Sequence, residues 1–160
     1  MTTYERVEYT DPRAVSLRAT MDEEMDERYG MSHTDPAELA LVMAALSVDP
    51  ETIAATVLAI SDGGTPTGHA ALRPHGEDGW EVKRVIVLSE ARGEGVGNGL
   101  MTQLEEIARA AGVKRLILQT GDRQPEAVRL YERLGYLPIP VYEPYASVMP
   151  QSLCFAKALD

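Results

Sequence analysis

Cysteine is almost missing from this chain: Cys154 stands alone, so no disulfide can form within it. It lies in the apolar stretch Leu153-Cys154-Phe155-Ala156, where a cysteine reads as a small core residue. No Cys/His spacing typical of a metal site occurs, so no metal is expected. Cationic residues are few, 15 Lys and Arg against 25 Asp and Glu, for a net charge of −10. That sign opposes nucleic-acid binding, which relies on positive side chains displacing counterions from phosphate. It serves solubility and weakly favours a cationic partner. No apolar run approaches the roughly 18 residues of a membrane helix, so no membrane partner is expected. The opening MTTYERVEY is polar and charged, unlike a signal peptide. Repeats, low-complexity tracts and Ser/Gly linkers are lacking too. The 160 residues, 44% hydrophobic and 25% charged, suit one domain over residues 1–160 in the cytoplasm.

What is present is punctuation. Residues 5–9 alternate as a short strand. Asp11-Pro12 and Asp35-Pro36 each pair an N-cap with a proline at the first helical position. Ala14, Leu17, Met21 and Met25 mark one helical face; Leu39, Val42, Met43 and Leu46 mark the next. Residues 52–60 and 67–72, joined by Asp62-Gly63-Gly64, read as a hairpin, and 80–88 as a third strand. A glycine run then opens a helix with Leu100, Leu104, Ile107, Ala108 and Ala111 on one face, ended by Gly112. Residues 114–120 (KRLILQT) have the continuous apolar centre of a buried parallel strand. Pro125 opens a last helix that stops at Gly135; a loop rich in Pro and Tyr follows, and 152–157 closes the sheet. The order is strand, two helices, three strands, helix, strand, helix, strand: a mixed α/β domain with one βαβ unit.

The glycine run ARGEGVGNGL is the most specific feature. Glycine loses the most backbone freedom on folding, so such a density needs a reason. Between a strand and a helix, bare backbone presents N–H groups at a helix N-terminus, an anion site backed by the helix dipole. The dinucleotide fingerprint fails here, because Gly93, Gly95, Gly97 and Gly99 lack its third spacing. The mononucleotide loop fails as well, since Leu100 and Met101 follow Gly99 in place of Lys and Ser/Thr. The pattern R-x-x-G-x-G/A does match at Arg92-Gly93-Glu94-Gly95-Val96-Gly97.

The stretch VKRVIVLSEARGEGVGNGLMTQLEEIARAAG resembles the acetyl-CoA-binding motif of the GNAT N-acetyltransferases. The resemblance continues through KRLILQTGDRQPEAVRLYERLGY and covers residues 80–136. It implies the acyl-CoA N-acyltransferase fold, a mixed and mostly antiparallel sheet with a central, splayed parallel strand pair flanked by helices. It implies acetyl-CoA as co-substrate, its pantetheine arm against the backbone of Val85, Ile86 and Val87. The pyrophosphate would rest on residues Arg92, Gly93, Glu94, Gly95, Val96 and Gly97, with Asn98 adding an amide. Tyr131 in LYERLGY matches the tyrosine that protonates the leaving thiolate. Gln124 stands where many relatives carry an Asn that touches the cofactor; here it serves that contact or caps the helix. Glu81 matches a position where several relatives place a catalytic base. A homodimer is common in the family.

The implied function is transfer of acetyl from acetyl-CoA to a primary amine of a small molecule or protein, by direct attack in a ternary complex. A non-catalytic acyl-CoA-binding regulatory module, and a transferase using another acyl-CoA, remain alternatives. Other readings stay open beside these. Tyr131 and the 85–87 run fit a core as well as a site. His69 and His75 are alternative bases, although His69 in an apolar strand reads as a satisfied core histidine and His75 as exposed; His33 carries no signal. The acceptor pocket is expected from the helix pair and from the loop with Tyr142, Glu143 and Tyr145, where aromatics beside a carboxylate suit a cationic amine. Met21, Met25 and Met43 line that pocket or the core.

Overall fold

A computed structural model describes residues 1–30 and 34–160, so His33 lies outside the described residues. The elements run β1 (Thr3–Val7), α1 (Pro12–Tyr29), α2 (Pro36–Leu46), β2 (Ala55–Ile60), β3 (Pro66–His75), β4 (Gly79–Val87), α3 (Val96–Ala110), β5 (Arg115–Thr120), α4 (Pro125–Arg133), β6 (Leu137–Ile139), α5 (Tyr145–Val148) and β7 (Leu153–Ala158). The strands form one sheet in the order β1-β2-β3-β4-β5-β7-β6. Among the described residues only β4 and β5 pair in parallel; every other neighbouring pair is antiparallel. This is the mixed, mostly antiparallel sheet with one parallel pair that the resemblance implies. No helix among the described residues is long and apolar enough to cross a membrane.

Local chemistry explains the boundaries. The Asp11 carboxylate accepts from the Arg13 amide at 2.9 Å, and Asp35 from the Glu38 amide at 3.2 Å, so both Asp-Pro pairs cap helices as expected. The first strand spans Thr3–Val7 rather than 5–9: Thr3 already pairs with Ile60 of β2, and the strand ends early because the chain turns where the Asp11 amide meets the Glu8 carbonyl. The region after Tyr136, expected as a loop, carries β6 and α5. Both are too short to show a period, and β6 contains Pro138, which only an edge strand tolerates.

The two sheet faces bury different helices. Ala55, Val57 and Ala59 of β2 face a core filled by Leu100, Met101, Leu104 and Ala108 of α3. Between them, Leu58 points the other way, onto Ala14 and Leu17 of α1. Each such leucine contributes about 2 kcal/mol through burial. Gly99 faces Tyr4 of β1 so closely that any side chain there would overlap the phenol ring. Its task is to let the head of α3 meet the sheet.

The parallel ladder is short. It runs from Gly79 opposite Arg115 to Val82 opposite Leu118 and then stops. The next residues of β4 form a bulge: the β3–β4 register shifts between His69, opposite Ile86, and Ala71, opposite Lys83. Arg84 sits within it at φ 56, a left-handed conformation unusual for a side chain of its size. Neighbours hold it there. His69 donates from Nδ1 to the Arg84 carbonyl at 2.8 Å, while Arg18 donates to His69 Nε2 at 2.8 Å. A guanidinium cannot accept, so Nε2 carries the lone pair and Nδ1 the proton. Arg84 itself pairs with Asp22 at 2.9 Å. His69 is therefore a satisfied core histidine that locks the bulge.

Burial pushes the His69 pKa down to about 4. The unfolded chain thus binds a proton that the folded one refuses, between about pH 6.5 and 4, and stability falls as pH falls through that window. We expect roughly 2 to 3 kcal/mol of unfolding free energy to be lost on this account between neutral pH and pH 4.5. Urea denaturation at both pH values checks it: His69→Gln, whatever its stability at neutral pH, should show a pH difference smaller by that amount.

Candidate active site

Where β4 and β5 part, a cleft of about 940 Å³ opens, a size that holds a sizeable ligand. The bulged half of β4, the head of α3, residues 120–124 and Tyr131 of α4 form its walls; Met21, Met25 and Met43 reach it from the helix pair. Of the site residues named from the sequence, Val85, Ile86, Val87, Arg92, Gly93, Gly95, Val96, Gly97, Asn98, Gln124 and Tyr131 all line this one cleft. Glu81 and Glu94 do not. Glu94 is exposed at the outside of the loop, and Glu81 lies behind the cleft wall.

The loop's conformation follows from its glycines. Gly93 at φ 85 and Gly95 at φ 81 are left-handed, which lets the chain turn sharply into α3. No side chain caps α3, and its ladder begins with the Gly99 amide bonding the Gly95 carbonyl. Among the described residues the amides of 93 to 98 have no backbone partner in the turn. They form a cluster of unspent donors at a helix N-terminus, suited to an anion. At Gly97 an added Cβ would lie 3.0 Å from Leu130 Cδ2 and 3.6 Å from Val87 Cγ2, so α3 and α4 already touch there. The Arg92 side chain crosses the mouth of the loop: Nε donates to the Val87 carbonyl at 3.0 Å, and Nη2 bonds both Glu24 carboxylate oxygens at 2.8 and 2.9 Å.

Tyr131 is 5% exposed. Its ring packs edge-on to Tyr136 at 5.9 Å between centroids, so it belongs to the core and lines the cleft together. Its hydroxyl has no hydrogen-bond partner among the described residues, and burial pushes its pKa above the ordinary tyrosine value, which keeps it protonated. Gln124 occupies the N-cap position of α4 without making a capping bond, so helix capping does not use its side chain.

Glu81 anchors a second cluster, fully buried at 0% exposure. Its carboxylate accepts from Arg73 Nε at 2.8 Å, Tyr142 Oη at 2.7 Å and Tyr145 Oη at 3.1 Å. Burial works to raise its pKa, but the charge of Lys83, the Tyr142 hydrogen bond and Arg73 outweigh burial and hold it below the usual range. An acceptor in the cleft does not meet this carboxylate directly. The aromatic pair expected at the acceptor pocket also turns inward: Tyr142 and Tyr145 pack edge-to-face with centroids 5.3 Å apart, both bonded to Glu81, and do not line the cleft. Glu143 is spent on α5, accepting from the Ser147 amide at 2.8 Å. His75 is exposed, its ring against Tyr142 at 5.2 Å. The helix pair does contribute to the cleft, as expected. Lys83, which lines it, was not among the residues singled out. Its one signal is the period-two spacing with Glu81, which puts two charges on one face of a largely apolar strand. Among the described residues no group of His, Cys, Asp or Glu is arranged to hold a metal ion.

Removing the Glu81 charge leaves Arg73 and Lys83 buried without their counter-ion. Glu81→Ala should lower the unfolding free energy by about 3 kcal/mol, measured by urea denaturation.

The fold agrees with comparisons to known proteins. The family model described as acetyltransferase (GNAT) matches residues 17–136. An IAA acetyltransferase of Azospirillum brasilense is 38% identical over 97 residues, 60% of this chain and 63% of that protein. The chain spans less than two thirds of the length of the curated relatives it matches. A crystal structure assigned as an acyl-CoA N-acyltransferase of Klebsiella pneumoniae subsp. pneumoniae is 28% identical, with a TM-score of 0.80 over 100% of this chain and 99% of that one. A protein assigned as a streptothricin acetyltransferase of Bacillus anthracis str. Ames, solved in complex with acetyl coenzyme A, shares the fold at 18% identity and a TM-score of 0.62, over 74% and 72% of the two chains.

Proposed function

Because the chain belongs to the acetyltransferase (GNAT) family, we propose that residues 1–160 form one catalytic domain that moves an acetyl group from acetyl-CoA to a primary amine, by direct attack in a ternary complex. The observation that carries this reading is the meeting, in one cleft, of a forked β4–β5 pair, a run of unspent amides and a buried phenol. The fork frees the backbone of Val85, Ile86 and Val87 from β5, so it can pair with an extended pantetheine arm as a strand would. The amides from Gly93 to Asn98 suit a pyrophosphate, and the dipole of α3 adds to them. Arg92 brings a positive charge to the loop mouth, partly offset by Glu24. Gln124 lines the cleft, its side chain not used in capping α4.

Acetyl-CoA supplies an activated acyl group on a thiol leaving group; the chain must orient it and manage protons. An alkyl ammonium has a pKa near 10.4, so about one molecule in a thousand is the free amine at pH 7. Glu81, expected as its base, is shielded by two tyrosines and an arginine, so in this reading it is a positioning residue and the proton leaves through water in the cleft. Tyr131, kept protonated by burial, donates a hydrogen bond to the departing sulfur and offers the proton that completes the thiol.

Thiol release from acetyl-CoA with a panel of amines and peptides tests the reading. Acceleration by an amine is expected; acetyl-CoA binding without acceleration by any amine would leave a binding module, and faster turnover with a longer acyl donor would move the donor class. Tyr131→Phe should lower kcat by about 10- to 100-fold while calorimetric affinity for acetyl-CoA stays within about two-fold. Gly97→Val would press α3 against Leu130 and Val87 and shift the loop amides; it should weaken acetyl-CoA binding by at least about ten-fold, with thermal unfolding as the control for folding.

A further inference from the structure

The reading above leaves one buried charge without a task. Lys83 directly follows Val82, the last residue of β4 paired with β5, so it stands at the fork itself. It is 7% exposed and lines the cleft. Its Nζ donates to Tyr145 Oη at 2.7 Å, and among the described residues it has no carboxylate within ion-pair distance. An ammonium has three N–H groups, so this side chain has donors to spare. The charges around it do not balance. Arg73 and Lys83 share the single carboxylate of Glu81, while the next cation, Arg84, is already matched by Asp22. The cluster carries one positive charge in excess. Burying an unmatched charge is costly, and Lys83 is the one member of this cluster that lines the cleft.

We propose that Lys83 binds an oxyanion carried by the acceptor, so that the acceptor is a primary amine that also bears a carboxylate or a similar compact acid group. This rests on the acetyl-transfer reading and adds the acceptor's class. It reverses the cationic acceptor that the net charge of the chain favours: the overall sign is set by exposed carboxylates, whereas the fork is locally positive. Tyr145 holds the Nζ by its hydrogen bond, and Glu81 attracts the charge from beyond ion-pair distance. Burial pushes the Lys83 pKa down to about 8, with Glu81 opposing, which still leaves the ammonium dominant at neutral pH. Methionine at 83 would keep the length and remove the charge; arginine would keep the charge.

The test compares amines of matched length with and without the acid group: β-alanine and aminoethylphosphonate against propylamine, in thiol release with the wild-type chain, Lys83→Met and Lys83→Arg. The wild type should prefer an acid-bearing amine by about ten-fold or more in kcat/KM, chiefly through KM, as a charge-assisted hydrogen bond requires. That ratio should fall towards one in Lys83→Met and be largely kept in Lys83→Arg; the acid that gives the larger ratio identifies the oxyanion. A wild-type preference for propylamine, or a ratio unchanged in Lys83→Met, overturns the proposal. So does an equal loss for all amines that falls on kcat and moves the pH profile, because Lys83 would then handle the proton. Calorimetric titration of butyrate into the acetyl-CoA-loaded protein separates the two readings. Binding to the wild type but not to Lys83→Met, with no amine turned over, keeps the anion site and defeats acetyl transfer. Equal binding to both, or none to either, defeats the site.

Discussion

The hydrogen bond from His69 to the Arg84 carbonyl is the constraint on which the site depends. It holds a left-handed residue inside a strand, and that residue makes the bulge. The bulge turns the second half of β4 away from β5, and the parallel ladder ends at Val82 and Leu118. A regular strand would carry the ladder on to Arg84, opposite Thr120 where β5 ends, and narrow the fork. The cost of one strained residue, roughly 1 to 3 kcal/mol, is offset by a fully bonded histidine, an arginine from α1 and an ion pair with Asp22. The same bonds tie α1 to the sheet beside the cleft, so the fork and one of its walls are set together.

Two buried carboxylates show how the acidic chain spends its few cations. Glu105 on α3 accepts from Lys157 Nζ at 2.9 Å and from Tyr136 Oη at 3.2 Å, tying the helix to β7 and to the end of α4. Glu81 does similar work at the fork with Arg73 and two tyrosines. The difference lies in the balance of charge and in what faces the cluster. Glu105 meets Lys157 at a partly exposed surface, where water screens any excess. In the Glu81 cluster the carboxylate is fully buried, and the surplus charge, Lys83, lines the cleft.

Much of this was legible in the sequence because it depends on neighbours along the chain. Asp11-Pro12 and Asp35-Pro36 start helices through bonds spanning two or three residues. The α3 stripe is read from its period. Gly93 and Gly95 mark left-handed turns, and with Arg92 and Gly97 they set the loop's register; the loop and Tyr131 do meet across one cleft. Less legible were β6 and α5, whose few residues carry no period, and the direction of Tyr142 and Tyr145, which a Pro-rich loop leaves undetermined.

By itself the sequence determined the order of elements, the βαβ unit and the place of the glycine loop, since each rests on backbone preference and local spacing. It also determined membership of an acetyl-CoA-dependent family, through a motif whose residues are contiguous. Only the tertiary structure decided where β4 leaves β5, because Arg84 is bent by His69, fifteen residues away, and by α1. Only the tertiary structure set Glu81 behind the wall and Lys83 before it. In a strand both are simply charges on one face, and which of them meets the cleft depends on the side chains that distant segments pack over each.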